Sequence, residues 1–87
     1  MIRATFGALD NLKNNKGMLV YEGDSVKEAS RAEREFVENM GMQFGVPTGN
    51  GGHITRVIED KENKRRFIDF GSHTLFIMER FEDIYSH

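Results

Sequence analysis

The chain has no cysteine, no tryptophan, a single proline and almost no excess of charge of either sign. Without cysteine it can form neither a disulfide nor a thiolate metal site, and a reducing compartment is compatible with it. Its 14 acidic and 12 basic residues give a net charge of −2, which provides no overall attraction to nucleic acid or to an anionic membrane. No apolar run reaches the ~20 residues of a membrane-spanning helix, and the first residues lack a signal-peptide pattern. We therefore expect a cytoplasmic protein.

The size of the chain suits one domain over residues 1–87, close to the lower limit at which a single hydrophobic core suffices. Seven phenylalanines and two tyrosines supply aromatic area for that core. Clear hydrophobic periodicity argues against disorder. The pattern predicts an α+β fold with elements in the order β-β-α-β-β-β. In this fold a small antiparallel sheet carries a C-terminal three-stranded meander packed on one helix.

Residues 54–81 carry the strongest signal and predict the three strands of the meander. Gly71-Ser72 lies between two β-prone runs. It predicts a two-residue type II′ hairpin turn, because glycine supplies the positive φ that this turn requires. The turn sets a register in which Phe67 lies opposite Phe76.

Charges place the preceding turn. If residues 61–64 form a four-residue loop, Glu59 lies opposite Arg66 and Arg56 lies opposite Asp69. Each such cross-strand pair contributes roughly 0.2–1 kcal/mol, and a slip of one residue would turn the apolar side chains to the other face. This register is therefore the predicted one.

Both faces of the predicted meander are apolar. One face carries Val57, Ile68, Phe70, Leu75 and Ile77, and the other carries Ile54, Ile58, Phe67, Phe76 and Met78. One helix covers one face only, so the second face must meet residues 42–47, the N-terminal loop or another chain. We expect a homodimer or partner interface there. The residues predicted for this interface are Ile58, Phe67, Phe76 and Met78.

The N-terminal part predicts a first strand over residues 1–9 and a loop over residues 8–17, with one helical turn around its two leucines. A second strand follows at residues 18–21. It is apolar at every position, which is typical of a strand covered on both sides. Residues 82–87 predict a short tail.

One helix is clearly indicated. Ser25 and Glu28 form a capping-box pattern with Ser25 at the N-cap, and Gly41 suits the position that ends the helix. The apolar stripe consists of Val26, Ala29, Ala32, Phe36, Val37 and Met40. Glu33 falls inside this stripe, and we expect it to pair with a cation at the stripe's edge. The outer face mixes cations and carboxylates, as in a solvated helix.

A glycine-rich loop is the candidate ligand site. Its glycines allow successive backbone N–H groups to converge on an anion, and nearby side chains add donors for a phosphate-bearing metabolite or nucleotide. The candidate residues are Gly49, Asn50, Gly51, Gly52, His53, Thr55 and Arg56. The loop matches neither a P-loop nor a dinucleotide fingerprint. The alternative interpretation is a flexible connection between helix and sheet.

A basic cluster at Lys61–Arg66 offers a third interpretation, a hairpin that contacts nucleic-acid phosphates. Interspersed acidic residues weaken its field, so solvated turn charges are the favoured explanation and nucleic acid is a disfavoured partner. Two histidines, His53 and His73, fall at one end of the sheet. They lie about two strand spacings apart, roughly 10 Å, with no third ligand, so no metal site is predicted.

No constellation of catalytic residues is visible, and Ser25 and Ser72 are explained by a cap and a turn. We expect a protein that is not an enzyme, has no cofactor and acts through protein–protein contacts. Many small compact chains without catalytic motifs are inhibitors or adaptors of viral or mobile-element origin. The small size of this chain and its lack of catalytic motifs favour that class by analogy. Small-ligand binding at the glycine-rich loop is the alternative.

Overall fold

Alternation of the buried Ile2 and Ala4 with the less buried Arg3 and Thr5 begins the first strand of the sheet in the computed structural model, which describes residues 1–82. The predicted α+β class is confirmed. The elements are β1 (Ile2–Ala8), α1 (Leu9–Lys13), β2 (Met18–Gly23), α2 (Val26–Asn39), β3 (Val46–Pro47), β4 (His53–Ile54), β5 (Arg56–Asp60), β6 (Arg65–Asp69) and β7 (Leu75–Phe81). Apart from Glu82, the predicted tail lies outside the described residues.

Five strands form one antiparallel sheet in the order β2-β1-β7-β6-β5, and β3 pairs with β4 in a separate two-stranded sheet. The predicted meander is confirmed as β5-β6-β7. Its first turn also has the predicted register, with Glu59 opposite Arg66 and Arg56 opposite Asp69. The charge pairs therefore located this turn correctly.

The second turn is not the predicted two-residue hairpin. Phe67 lies opposite Met78 rather than Phe76, a shift of two residues. The connection between β6 and β7 is longer than two residues, and hydrogen bonds from backbone amides to side chains stabilise it. Oδ1 of Asp69 accepts a hydrogen bond from the Gly71 amide at 3.1 Å, and Oγ of Ser72 accepts one from the Leu75 amide at 3.2 Å. A shift of two residues keeps each side chain on its face, so the faces predicted for β6 and β7 survive.

Helix α2 begins and ends as its sequence indicates. Oγ of Ser25 accepts a hydrogen bond from the Glu28 amide at 3.1 Å, and Gly41 follows the helix with φ +82°. The helix packs against β1 and β2. Its buried line is Ala29, Glu33 and Val37, spaced four residues apart. Val26 and Met40, predicted for the stripe, lie exposed at the two ends of the helix.

The core lies on both faces of the sheet. Beneath α2, the buried cluster is Ala4, Val37, Ile68, Phe70 and Ile77. On the opposite face, Leu12 of α1 packs with Phe67 and Met78. The second face is thus partly covered by the N-terminal loop, one of the three covers considered from the sequence.

Two predictions about strands are wrong. Strand β2 is an edge strand, and Met18 and Leu19 are 62% and 56% exposed rather than covered on both sides. The strand predicted from Ile54 to Asp60 is interrupted at Thr55, so Ile54 belongs to β4 and does not share a sheet face with Ile58. Both errors concern how strands assemble, which depends on distant parts of the chain.

Candidate functional site

Glu33 lies at the centre of the interface between helix and sheet. Its place between Ala29 and Val37 on the buried line of α2 points the side chain at the sheet, and the residue is only 1% exposed. The prediction of an ion pair at the stripe's edge is therefore wrong. Instead, Glu33 meets a carboxylate, Glu79 of β7, and the nearby guanidinium of Arg66 in β6.

Arg66 and Glu79 form a cross-strand ion pair beneath Glu33. Nε of Arg66 donates a hydrogen bond to Oε1 of Glu79, which is 2% exposed. On its other side Glu79 lies opposite Ala4, whose small side chain leaves room for the carboxylates. The guanidinium carbon of Arg66 also lies 5.3 Å from the centre of the Phe81 ring. The pair is held by the register of three neighbouring strands.

The pKa of Glu33 is raised to about 9, chiefly by burial and in the same direction by the hydrogen bond with Glu79 and the charge of that carboxylate. The charge of Arg66 opposes this shift. At neutral pH Glu33 is therefore a carboxylic acid that donates its proton to the Glu79 carboxylate. No donor within the described part of the chain reaches Oε2 of Glu33.

This cluster borders a pocket of about 490 Å³ between α2 and the part of the sheet that α2 leaves uncovered. A neutral acid beside a carboxylate can donate or accept both protons and hydrogen bonds. The pocket is the route by which a small molecule could reach it. Sequence reasoning noticed Glu33 but missed Glu79 and its pairing with Arg66. The available signal was Glu79 itself, which interrupts the apolar alternation of Ile77 and Phe81.

The glycine-rich loop is a turn that joins β3 and β4. The Thr48 amide donates to the Gly52 carbonyl at 3.0 Å, and the Asn50 amide donates to Oγ1 of Thr48 at 3.4 Å. Gly49 and Gly51 have positive φ, as an anion-binding loop also requires. Because two amides are already bonded within the loop, fewer remain to meet an anion. Ligand binding there stays a prediction.

The side chains that follow this loop separate in the structure. His53 is exposed in β4, and Arg56 forms an exposed ion pair with Asp69 at 3.3 Å. Thr55 lies at the border of the pocket beside Glu33. The predicted ligand set is therefore not gathered around one point, and only Thr55 reaches that pocket.

The residues predicted for a partner interface also divide. Phe67 and Met78 are buried under Leu12, and Phe76 is half-buried beside them. Ile58 is 43% exposed on the edge strand β5. Of this predicted set, Ile58 is the residue that a partner can reach without displacing α1.

The basic hairpin is partly neutralised by its own residues. Arg65 donates to Asp60 at 2.9 Å, and Arg66 is occupied by Glu79. Asn63 and Arg65 hydrogen bond to Asp60 and hold its pKa below the usual value. This arrangement matches the favoured interpretation of solvated turn charges.

No protein-family model, curated protein or solved structure matches the chain. Among residues 1–82, the helices are too short or too polar to cross a bilayer. Within that same range no three histidine, aspartate or glutamate side chains are grouped to hold a metal ion.

Proposed function

We propose that this protein acts by binding other polypeptides rather than by catalysis, and that β5 is its binding strand. The observation that carries the proposal is the open edge of β5, which pairs with β6 on one side only. An edge strand presents unpaired N–H and C=O groups to which a further strand can add. Four of its five residues, Arg56 to Glu59, are exposed.

Apolar side chains collect around this edge. Val57 and Ile58 project from opposite faces of β5, and Val46 and Ile54 lie in the adjacent small sheet. These four are half of the eight large hydrophobic residues that are exposed in the described chain. A strand added at β5 would cover Val57 on one face and Ile58 on the other, which supports a partner with apolar side chains on both faces.

The first partner we propose is a second copy of this chain. When two β5 strands pair antiparallel about a two-fold axis at Ile58, Arg56 of each copy lies opposite Asp60 of the other. The arrangement thus brings together two opposite-charge pairs and one apolar pair. Within one copy Arg56 also pairs with Asp69, and Asp60 pairs with Arg65. The Arg56 side chain is nevertheless 75% exposed, so a second copy can reach it. A homodimer is therefore the expected resting state of a cytoplasmic inhibitor or adaptor.

The test is sedimentation equilibrium over a range of protein concentrations. We expect a monomer–dimer equilibrium for the unmodified chain and only monomer for Ile58→Lys, because a lysine at the axis places two like charges together. Arg56→Glu should weaken association, since it faces Asp60 of the other copy. Met18→Lys is the matched control on the opposite sheet edge and should leave the dimer intact.

A monomer at every concentration, or equal loss of association in Ile58→Lys and Met18→Lys, would contradict self-pairing at β5. Circular dichroism on each variant separates lost association from lost folding. A monomer whose β5 amides become protected only when another protein is added would reassign the edge to a heterologous partner.

A further inference from the structure

The pocket beside Glu33 exists because α2 covers only part of the sheet. The helix packs against β1 and β2, at one side of the strand order, and leaves β5 and β6 without a helical cover. The resulting space of about 490 Å³ falls within the range of small-molecule sites. The pocket shares Val57 with the proposed binding edge, and its other lining residues lie outside β5.

The mouth of the pocket is positively charged in a chain whose net charge is negative. Lys27, Arg31 and Arg34 of α2 lie along it at helical spacing. None of the three forms an ion pair within residues 1–82, whereas the fourth cation of the pocket, Arg66, is already bound to Glu79. The guanidinium of Arg34 lies 5.8 Å from the centre of the Phe44 ring. Three cations are thus available to an anionic group.

The interior of the pocket combines an apolar surface with polar groups, among them the Glu33 carboxyl group. Phe44, Val57 and Ile68 contribute the apolar surface. Oε2 of Glu33 is buried and has no hydrogen-bond partner within the described chain. A buried acceptor without a donor is unfavourable, and a ligand N–H or O–H group would satisfy it.

We propose that this pocket binds a small phosphorylated molecule with a flat apolar body, of the nucleotide class. The phosphate lies on Lys27, Arg31 and Arg34, and the ring lies against Phe44 and Val57. A donor on the ring edge, such as an exocyclic amine, bonds to the Glu33 carboxyl group, which borders the pocket. The cations, the apolar surface and Glu33 are separate parts of one pocket. A ligand that contacts all three therefore binds more tightly than phosphate alone.

The experiment is an NMR titration of the full chain with adenosine and guanosine mono- and triphosphates, and with inorganic pyrophosphate as the probe that lacks a ring. We expect shifts in the amides of residues 27–34, 44 and 55–57, with a nucleotide affinity at least tenfold higher than that for pyrophosphate. Lys27→Ala with Arg31→Ala should weaken both by tenfold or more. Lys61→Ala with Lys64→Ala removes the same charge from the hairpin and should change neither.

Glu33→Met tests the buried acceptor, since it keeps the volume and removes the oxygen. It should weaken the nucleotide while leaving pyrophosphate unchanged. If this variant does not fold, the two surface double variants still decide the proposal. It is overturned if no nucleotide shifts the pocket amides, or if the hairpin variant loses binding as strongly as the helix variant. A single-stranded oligonucleotide that binds more tightly than any mononucleotide, with steep salt dependence, would also overturn it.

This test is independent of the dimer. Nucleotide binding by an Ile58→Lys monomer would support the pocket without the β5 pairing. If the chain forms a dimer but binds no nucleotide, the β5 proposal stands and the nucleotide-pocket proposal is wrong.

Discussion

At Glu33 a residue that is ordinarily charged occupies a core position and stays neutral. Its pKa rises to about 9 chiefly because burial penalises the charged form, and the neighbouring Glu79 carboxylate adds to the shift. Arg66 is the cation that faces the pair from the sheet, while Lys27, Ser30, Arg31 and Arg34 border the same pocket from α2. The proton on Glu33 is therefore part of the folded structure at neutral pH.

The first residue-scale prediction follows from that proton. The folded state keeps it between the unfolded pKa near 4.5 and the folded pKa near 9, whereas the unfolded state releases it. The contribution of Glu33 to stability is therefore complete below about 4.5 and is lost as the pH rises through 9, by at most about 1.4 kcal/mol per pH unit. Glu33→Gln keeps a donor for Glu79 and removes this titration. We expect it to be more stable than the unmodified chain at pH 8, by roughly 1–3 kcal/mol.

Urea unfolding at several values between pH 5 and 9 measures this difference. Glu35→Gln, an exposed position on the same helix, is the control and should follow the pH curve of the unmodified chain. Parallel curves for Glu33→Gln and the unmodified chain would show that Glu33 is ionised in the folded state.

The sequence could reveal half of this site. Glu33 is visible as a charged residue inside an apolar stripe, because helical periodicity is local. Its partner is not visible, since the predicted hairpin register places Arg66 opposite Ile77. The actual shift of two residues places Arg66 opposite Glu79. One error in a turn thus concealed an ion pair at the centre of the molecule.

At the scale of elements, local chemistry could be predicted and assembly could not. The cap at Ser25 and the charge pairs of β5 and β6 depend on residues close in the sequence, and both are confirmed. The exposure of β2 depends on which strands flank β1, and β1 pairs with the distant β7 as well as with β2. Strand order is set by contacts that span the chain, so an apolar pattern at residues 18–21 could not reveal an edge.

The Gly71 position gives the second prediction. Gly71 has φ +106°, and an added Cβ would lie 3.5 Å from Cγ2 of Val46, an ordinary contact. Gly71→Ala should therefore destabilise by about 1 kcal/mol or more through the backbone alone. Gly52→Ala is the matched control, since its Cβ would lie 3.5 Å from Oγ1 of Thr48 and its φ is not positive.

Thermal unfolding of both variants measures the difference. We expect a lower midpoint for Gly71→Ala and a midpoint near that of the unmodified chain for Gly52→Ala. Equal midpoints would mean that the β6–β7 connection relaxes to another conformation in solution.

At the scale of the whole molecule, the sheet carries core on both faces although only one long helix is present. Five residues are buried in the cluster under α2, and three in the cluster under α1. A chain of 87 residues has a total stability of roughly 5–10 kcal/mol, so it cannot lose either cluster without consequence. The five-residue helix α1 is therefore a structural necessity, although the sequence pattern there indicates little more than a loop.

A substitution at Leu12 tests whether the sheet face that carries Phe67 and Met78 unfolds together with the rest of the domain. It is fully buried against Phe67 and Met78, and Leu12→Ala should destabilise by about 2–5 kcal/mol. We expect one unfolding transition at a lower urea concentration, with the same midpoint by circular dichroism and by NMR signals from Val37 on the buried side of α2. Val26→Ala, which removes an exposed apolar side chain that lies away from β5, should keep nearly the original midpoint. If Leu12→Ala left the midpoint unchanged, the stability of the face carrying Phe67 and Met78 would not depend on α1.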